Sequence, residues 1–255
     1  MWSRVWLVLC LARVGDFTEG HTIGADAIRV AEAANFPAGL VQASCGVGAL
    51  CLYKGDLHQA IPVLERGLAV CRARNVEDWL PPLTAGLGYA YALAGRIAEA
   101  LPLLEQAVDR STMWGGRPFS LYVTWWGETS LLAGRPEEAL RLAQQALELT
   151  RTRKERGFEA GALQLLGEIY AQDAPPAVEA AESHYQQALA LATELGMRPL
   201  QAHCHRGLGT LYSQTGQPEQ ARVALSTAIN MYRDMEMTFW LPETKAALAA
   251  VESKA

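Results

Sequence analysis

The chain is expected to fold as an all-α array of about six helical hairpins closed by a capping helix. Three features of its 255 residues lead there: a recurring turn, glycines recurring at one phase within the segments between turns, and a helix-favouring composition. Ala, Leu, Glu, Gln and Arg dominate outside the turns, and all favour helix. No run of alternating β-branched residues marks a strand. Half the residues are hydrophobic and 19% are charged, enough to bury a core and too apolar for disorder.

The turn is a glycine followed by a short polar run and a small residue. It reads GDLHQA from Gly55, GRIAEA from Gly95, GRPEEA from Gly134 and GQPEQA from Gly216, with GDFTEG from Gly15 as a variant. Gly15, Gly55 and Gly95 are 40 apart, and Gly134 follows after 39. Gly134 to Gly216 is 82, two periods with a small insertion. The turn hidden between them is DAPPAVEAA, ending at Ala181, where Pro175 and Pro176 replace the glycine. Repeats are expected at 1–35, 36–76, 77–115, 116–155, 156–196 and 197–237, with the cap at 238–255, as one repeat domain over 1–255.

Two further columns fix the register. Gly48, Gly88, Gly127 and Gly209 stand seven before their turn glycines, with Gly167 at the matching place in the fifth repeat. Glycine within a helix costs ~1 kcal/mol against alanine, so its recurrence calls for a close helix–helix approach. The second column is a pair of small residues seven apart, from Gly20/Ala27 and Ala60/Gly67 to Ala221/Ala228. Two turns apart is one helix face.

The turns place first (A) helices near 3–14, 38–54, 80–94, 118–133, 157–172 and 199–215. Second (B) helices fall near 17–34, 57–74, 97–111, 136–153, 177–195 and 218–235, with a last helix near 241–253. Prolines such as Pro37, Pro81, Pro199 and Pro242 open A helices, where a missing N–H has no partner to lose. Trp240-Leu241-Pro242 repeats the A-helix start Trp79-Leu80-Pro81, so the last helix reads as an A helix serving as cap. The opening MWSRVWLVLCLARVGD has the apolar core of a short signal peptide but no small-residue cleavage site after it, and the register assigns it to the first A helix.

These columns resemble the tetratricopeptide repeat: a small residue in helix A, an aromatic three positions on, and two small residues seven apart in helix B. Leu166-Gly167 with Tyr170 and Leu208-Gly209 with Tyr212 show it best. The resemblance covers essentially the whole chain, with about 40 residues per repeat against the family's usual 34. It implies a right-handed α-α superhelix with A helices lining the concave face, and a protein-binding role. The run from Glu194 to Leu241 also resembles the C-terminal repeat region of large bacterial signalling proteins that carry an upstream adenylate/guanylate cyclase-type or ATPase/transcription-regulator module.

Catalytic signatures are absent from the sequence. There is no GxxxxGK[ST], GxSxG, HExxH or GxGxxG. His203-Cys204-His205 is the most metal-like cluster, but i and i+2 on a helix point to different faces, so packing is the reading taken and no metal or cofactor is expected. Glu137-Glu138 and Glu179/Glu182 open B helices, where they complement the helix dipole. The run Arg151, Arg153, Lys154, Arg156 ends a helix, with a docking patch for an acidic partner as the alternative. Trp126 falls in a core column, whereas Trp125 is read as packed or as an exposed contact. Cys10, Cys45, Cys51, Cys71 and Cys204 form no CxxC and read as small buried hydrophobes of a reducing compartment.

Net charge is −5, against a nucleic-acid surface, and no apolar run reaches the ~20 residues of a membrane span. The expectation is therefore a cytoplasmic, non-catalytic interaction module, the regulatory region of a larger bacterial signalling protein. The expected partner is a protein or peptide segment, with an upstream module of the same polypeptide as one source. The alternative is a sensor that closes around a small effector.

Transferring the family's groove columns gives an apolar half of Cys45, Ala49, Leu52, Tyr53, Tyr89, Leu93 and Leu121. The polar half is Glu128, Gln164, Glu168, Gln172, His203, Arg206, Thr210 and Gln214, with Arg206 as charged anchor. Partner contacts are expected at Tyr53, Tyr89 and the polar set.

Overall fold

The computed structural model describes residues 2–115, 119–173 and 175–253. It is helical throughout: thirteen α-helices and one 3-10 turn, with no strand among the described residues. Two compact units divide it, 1–133 and 134–255. The boundary falls inside the expected fourth repeat, 116–155.

The first unit holds α1 (Trp2–Val14), α2 (Phe17–Ala33), α3 (Pro37–Lys54), α4 (Leu57–Ala73), α5 (Leu80–Leu93), α6 (Ile97–Gly115) and α7 (Ser120–Leu132). Each helix packs on its sequence neighbour, and the A helices α1, α3, α5 and α7 also touch in succession. The second unit holds α8 (Pro136–Arg153), α9 (Arg156–Gln172), α10 (Val178–Glu194), α11 (Arg198–Gln214), α12 (Pro218–Asp234) and α13 (Leu241–Glu252). There the A helices α9, α11 and α13 lie in contact.

The ends of the helices are set by local chemistry. Gly55 closes α3 at φ 81°, a left-handed conformation that costs glycine nothing. Its N–H donates to Leu52 O, and the Asp56 N–H donates to Cys51 O. Asp56 then caps α4, accepting from the Gln59 N–H. The return turns use left-handed residues that no motif announced: Asn35, Asn75, Lys154, Gly196 and Glu236. Proline opens the A helices α3, α5, α11 and α13, as expected, and the B helices α8 and α12 as well.

The glycine column is the seat of a recurring knob-in-hole contact. A Cβ on Gly48 would stand 2.4 Å from Leu64, one on Gly88 3.0 Å from Leu104, and one on Gly209 2.6 Å from Leu225. In each case the leucine comes from the following B helix, sixteen residues on. Tyr185 takes the leucine's place opposite Gly167, and its larger ring reaches Gly207 on the next A helix as well. A second recurring contact joins successive repeats. The hydroxyl of Tyr91 donates to Glu65 at 2.6 Å, and that of Tyr212 donates to Glu182 at 2.6 Å.

The last helix packs as the cap foreseen for it. Val251 is buried with Tyr212, Ala224 and Leu225, with Ala247 and Leu248 alongside. Four cysteines are buried, but Cys10 is exposed, contrary to the expectation for all five. Trp125 is 7% exposed and Trp126 only half-buried, the reverse of their expected order. Trp125 turns toward α5, where its ring stacks on Tyr89 at 4.9 Å and 5°.

Candidate functional site

Three residues of the apolar half of the expected groove are interior, whereas Leu93 and Leu121 are half-buried. Cys45, Ala49 and Leu52 are 8%, 9% and 2% exposed, because α3 is apolar on every side and is packed by α1, α2, α4 and α5. Burial also pushes the Cys45 thiol up to about 12, so it stays protonated and inert. Tyr53 and Tyr89 are half-buried, Tyr89 beneath the Trp125 indole, and Glu128 is half-buried too.

The second unit does bring its expected residues together. Glu168 and Gln164 of α9 face Arg206 and His203 of α11. Arg206 Nη2 donates to Glu168 Oε1 at 3.0 Å, and Arg206 Nη1 to Glu243 Oε2 of α13 at 3.4 Å. The Arg206 and Glu168 side chains are each about a fifth exposed, whereas Glu243 is largely in solvent. Gln164 is buried, its amide bonded to the Glu168 carboxylate, so it supports the wall and does not line it.

Electrostatics at this pair pull in opposite directions. Burial raises the Glu168 carboxyl above its usual range, and Arg206 and Gln164 offset that only in part. At Arg206, burial by itself would lower the guanidinium, but Glu168, Tyr232 and Glu243 outweigh it and raise it. The guanidinium is charged in either case. The physical reading is a pair in which each ion is needed by the other. Arg206 is therefore a committed structural charge with one edge toward solvent, not the free anchor the columns implied.

His203 packs inward, the reading taken for the His-Cys-His cluster, although its column is a groove column. Its Nδ1 lies 2.7 Å from the Tyr232 hydroxyl and its ring meets Trp240 edge-on at 4.6 Å. Burial, reinforced by the Arg206 charge, pushes the imidazole down to about 3. It packs as a neutral ring between α12 and the start of α13. Among the described residues no group of three His, Cys, Asp or Glu could hold a metal ion. Gln172, Thr210 and Gln214 are exposed; the Thr210 hydroxyl donates to Arg206 O.

Glu243, Tyr232 and Trp240 complete the site and were not foreseen. The signal was present: Trp240-Leu241-Pro242 marks α13 as an A helix, and carrying the A-helix columns into it places Glu243 next to Arg206. The arginines of the basic run at the end of α8 are paired within the second unit, Arg151 with Glu159, Arg153 with Glu155 and Arg156 with Glu194.

Comparison with known proteins bears on this arrangement. A tetratricopeptide-repeat model matches residues 177–234, and a second matches 81–106 and 127–145. No curated protein matches the sequence. Among solved structures, BtubC (BKLC) from P. vanneervenii is similar with 19% identity and a TM-score of 0.56, over 89% of this chain and 92% of that one. A chain of the APC/C hetero-tetramer Cut9–Hcn1 is 16% identical with a TM-score of 0.62, over 94% of this chain and 42% of its own. The Rap conjugation gene regulator of the plasmid pLS20, in complex with the Phr* peptide, is 17% identical with a TM-score of 0.67, over 89% of this chain and 61% of its own. At these identities the likeness shows the fold. Tetratricopeptide-repeat models thus match parts of the chain, its fold is all-α and tetratricopeptide-like, and it spans less than two thirds of the latter two proteins.

Proposed function

We propose that this chain is a non-catalytic interaction module that takes a protein or peptide segment on the A-helix wall of its second unit. One observation carries the reading. α9 and α11 surround the half-buried Glu168–Arg206 pair with three exposed hydrogen-bonding side chains, Gln172, Thr210 and Gln214. A polypeptide laid over them finds amide and hydroxyl partners for its backbone, beside a charge already partly withdrawn from water. Packing does not require these groups, because Ala or Leu would fill a wall at less desolvation cost. The Rap regulator, similar in fold, is found with a peptide, and that supports a polypeptide ligand.

The larger setting rests on the resemblance over Glu194 to Leu241: a cytoplasmic regulatory region of a bacterial signalling protein, its segment supplied by an upstream module. Titration calorimetry with the purified flanking module tests the reading. Gln172→Ala with Thr210→Ala and Gln214→Ala should weaken binding about tenfold or more, each lost hydrogen bond contributing about 1 kcal/mol. Unchanged affinity in the folded triple variant overturns it. Arg206 is left intact in this design, since removing it strands Glu168.

A further inference from the structure

Charge on the A-helix wall of the second unit is not balanced. Leu166, Leu208 and Leu248 give α9, α11 and α13 a common register, and Gly161, His203 and Glu243 each stand five residues before their leucine. A Cβ on Gly161 would meet nothing within 4 Å, so this column faces open space on α9, where further A helices follow. His203 turns out of the column to pack on Tyr232 and Trp240. Glu243 instead keeps 78% of its side chain exposed.

Along the polar columns of these three helices, the charged groups among the described residues are Glu168, Arg206 and Glu243. Lys245, also on α13, lies on another side, in a groove with Asn230 and Arg233 of α12. Two carboxylates on the wall thus share one guanidinium. Arg206 is held more closely by Glu168, at 3.0 Å, than by Glu243, at 3.4 Å. A long, exposed pair such as the second is screened by water and neutralises little. The two carboxylates also act on each other. Burial, the larger cause, and the Glu243 charge both raise the Glu168 carboxyl, against Arg206 and Gln164.

The wall therefore carries an excess negative charge, and its exposed charged group is Glu243. An acidic segment would bring a third carboxylate to the two already there, whereas a basic one supplies the missing cation. Resting on the interaction reading above, we propose that the segment taken by this wall is basic, and that Glu243 selects it by pairing with a lysine or arginine of the partner. Gln172, Thr210 and Gln214 bond the segment's backbone whatever its side chains, and Glu243 reads charge. Arg206 stays with Glu168. A carboxylate in the first turn of α13 also complements the helix dipole. That role alone would give the wall no preference among ligands, so ligand preference separates the two.

The test is selection of a random-peptide display library on the immobilised full chain. Peptides are kept if they lose binding to the combined Gln172→Ala, Thr210→Ala and Gln214→Ala variant. The kept peptides should be enriched in lysine and arginine. A synthetic peptide from this set should bind Glu243→Gln several-fold more weakly and Glu243→Lys at least about tenfold more weakly. Exchange of its basic residue for glutamate should restore binding to Glu243→Lys. Because Glu243 is exposed, both variants should keep parental helicity and melting. Kept peptides with no basic enrichment, or affinities indifferent to Glu243, overturn this inference and leave the wall's role standing; acidic enrichment does the same. If no recovered peptide depends on the three polar side chains, the interaction reading falls and this inference with it.

Discussion

The ring of Tyr185 on α10 fills the space that a side chain on Gly167 of α9 would need: a Cβ there would stand 2.8 Å from Tyr185 Cδ1. The same ring lies within 2.5 Å of where a Cβ on Gly207 of α11 would sit, so one tyrosine holds two A helices at glycine-only distance. Tyr185 is 2% exposed, and neither helix can retreat without opening the core.

A pair of substitutions on one helix should consequently change stability in opposite directions. Gly167→Ala pushes a methyl into a rigid ring and should cost about 1–3 kcal/mol. Gly161→Ala, on the same helix with nothing within 4 Å of the new methyl, should stabilise by up to ~1 kcal/mol. Chemical denaturation of both variants measures this. Equal effects would mean that the glycine column is not a packing device.

Removal of residues 239–255 should leave a poorly soluble or oligomeric protein. The deletion uncovers Tyr212, Ala224 and Leu225 by taking away Val251 and Leu248, and it takes Trp240 from His203. Solenoid ends stripped of their caps associate through such faces. Size-exclusion chromatography with light scattering reads the outcome, and a monodisperse truncation as stable as the parent would show that α13 contributes little.

Acid should destabilise the second unit through His203. Its imidazole is held near 3 when folded, against about 6.5 for an unfolded chain. Below about 6.5 the unfolded chain takes up a proton that the folded ring refuses, so stability falls with pH until about 3. Each pH unit in that window removes up to about 1.4 kcal/mol. His205, lowered by burial, adds in the same direction, and His21, lowered chiefly by burial, does so in the first unit. His203→Asn should give a shallower dependence of unfolding free energy on pH, and an unchanged slope would contradict the assignment.

How much of this was legible beforehand follows from what the period encodes. Turn glycines and first-turn prolines mark where helices begin and end, and most observed helices lie within two residues of the expected ones; α6 runs longer. The glycine column announced close packing because a costly residue recurred at one phase. Exposure was harder, because it depends on how many helices surround each A helix. α3 is enclosed by four, so Cys45 and Leu52 became core. Arg206 and His203 lie at the right columns, but Glu243, Tyr232 and Trp240 occupy them from within, and those contacts cross 29 to 37 residues of sequence.

The polar wall of the second unit is the centre of the functional account, and site-specific photo-cross-linking in the source cell tests it most directly. A photoreactive residue replaces Thr210, exposed on α11 near the Arg206 edge, or Val223, 60% exposed on the B helix α12. The account predicts a discrete cross-linked polypeptide from position 210 and none from 223. Cross-links from 223 alone, or from neither position in a folded and expressed protein, would contradict it.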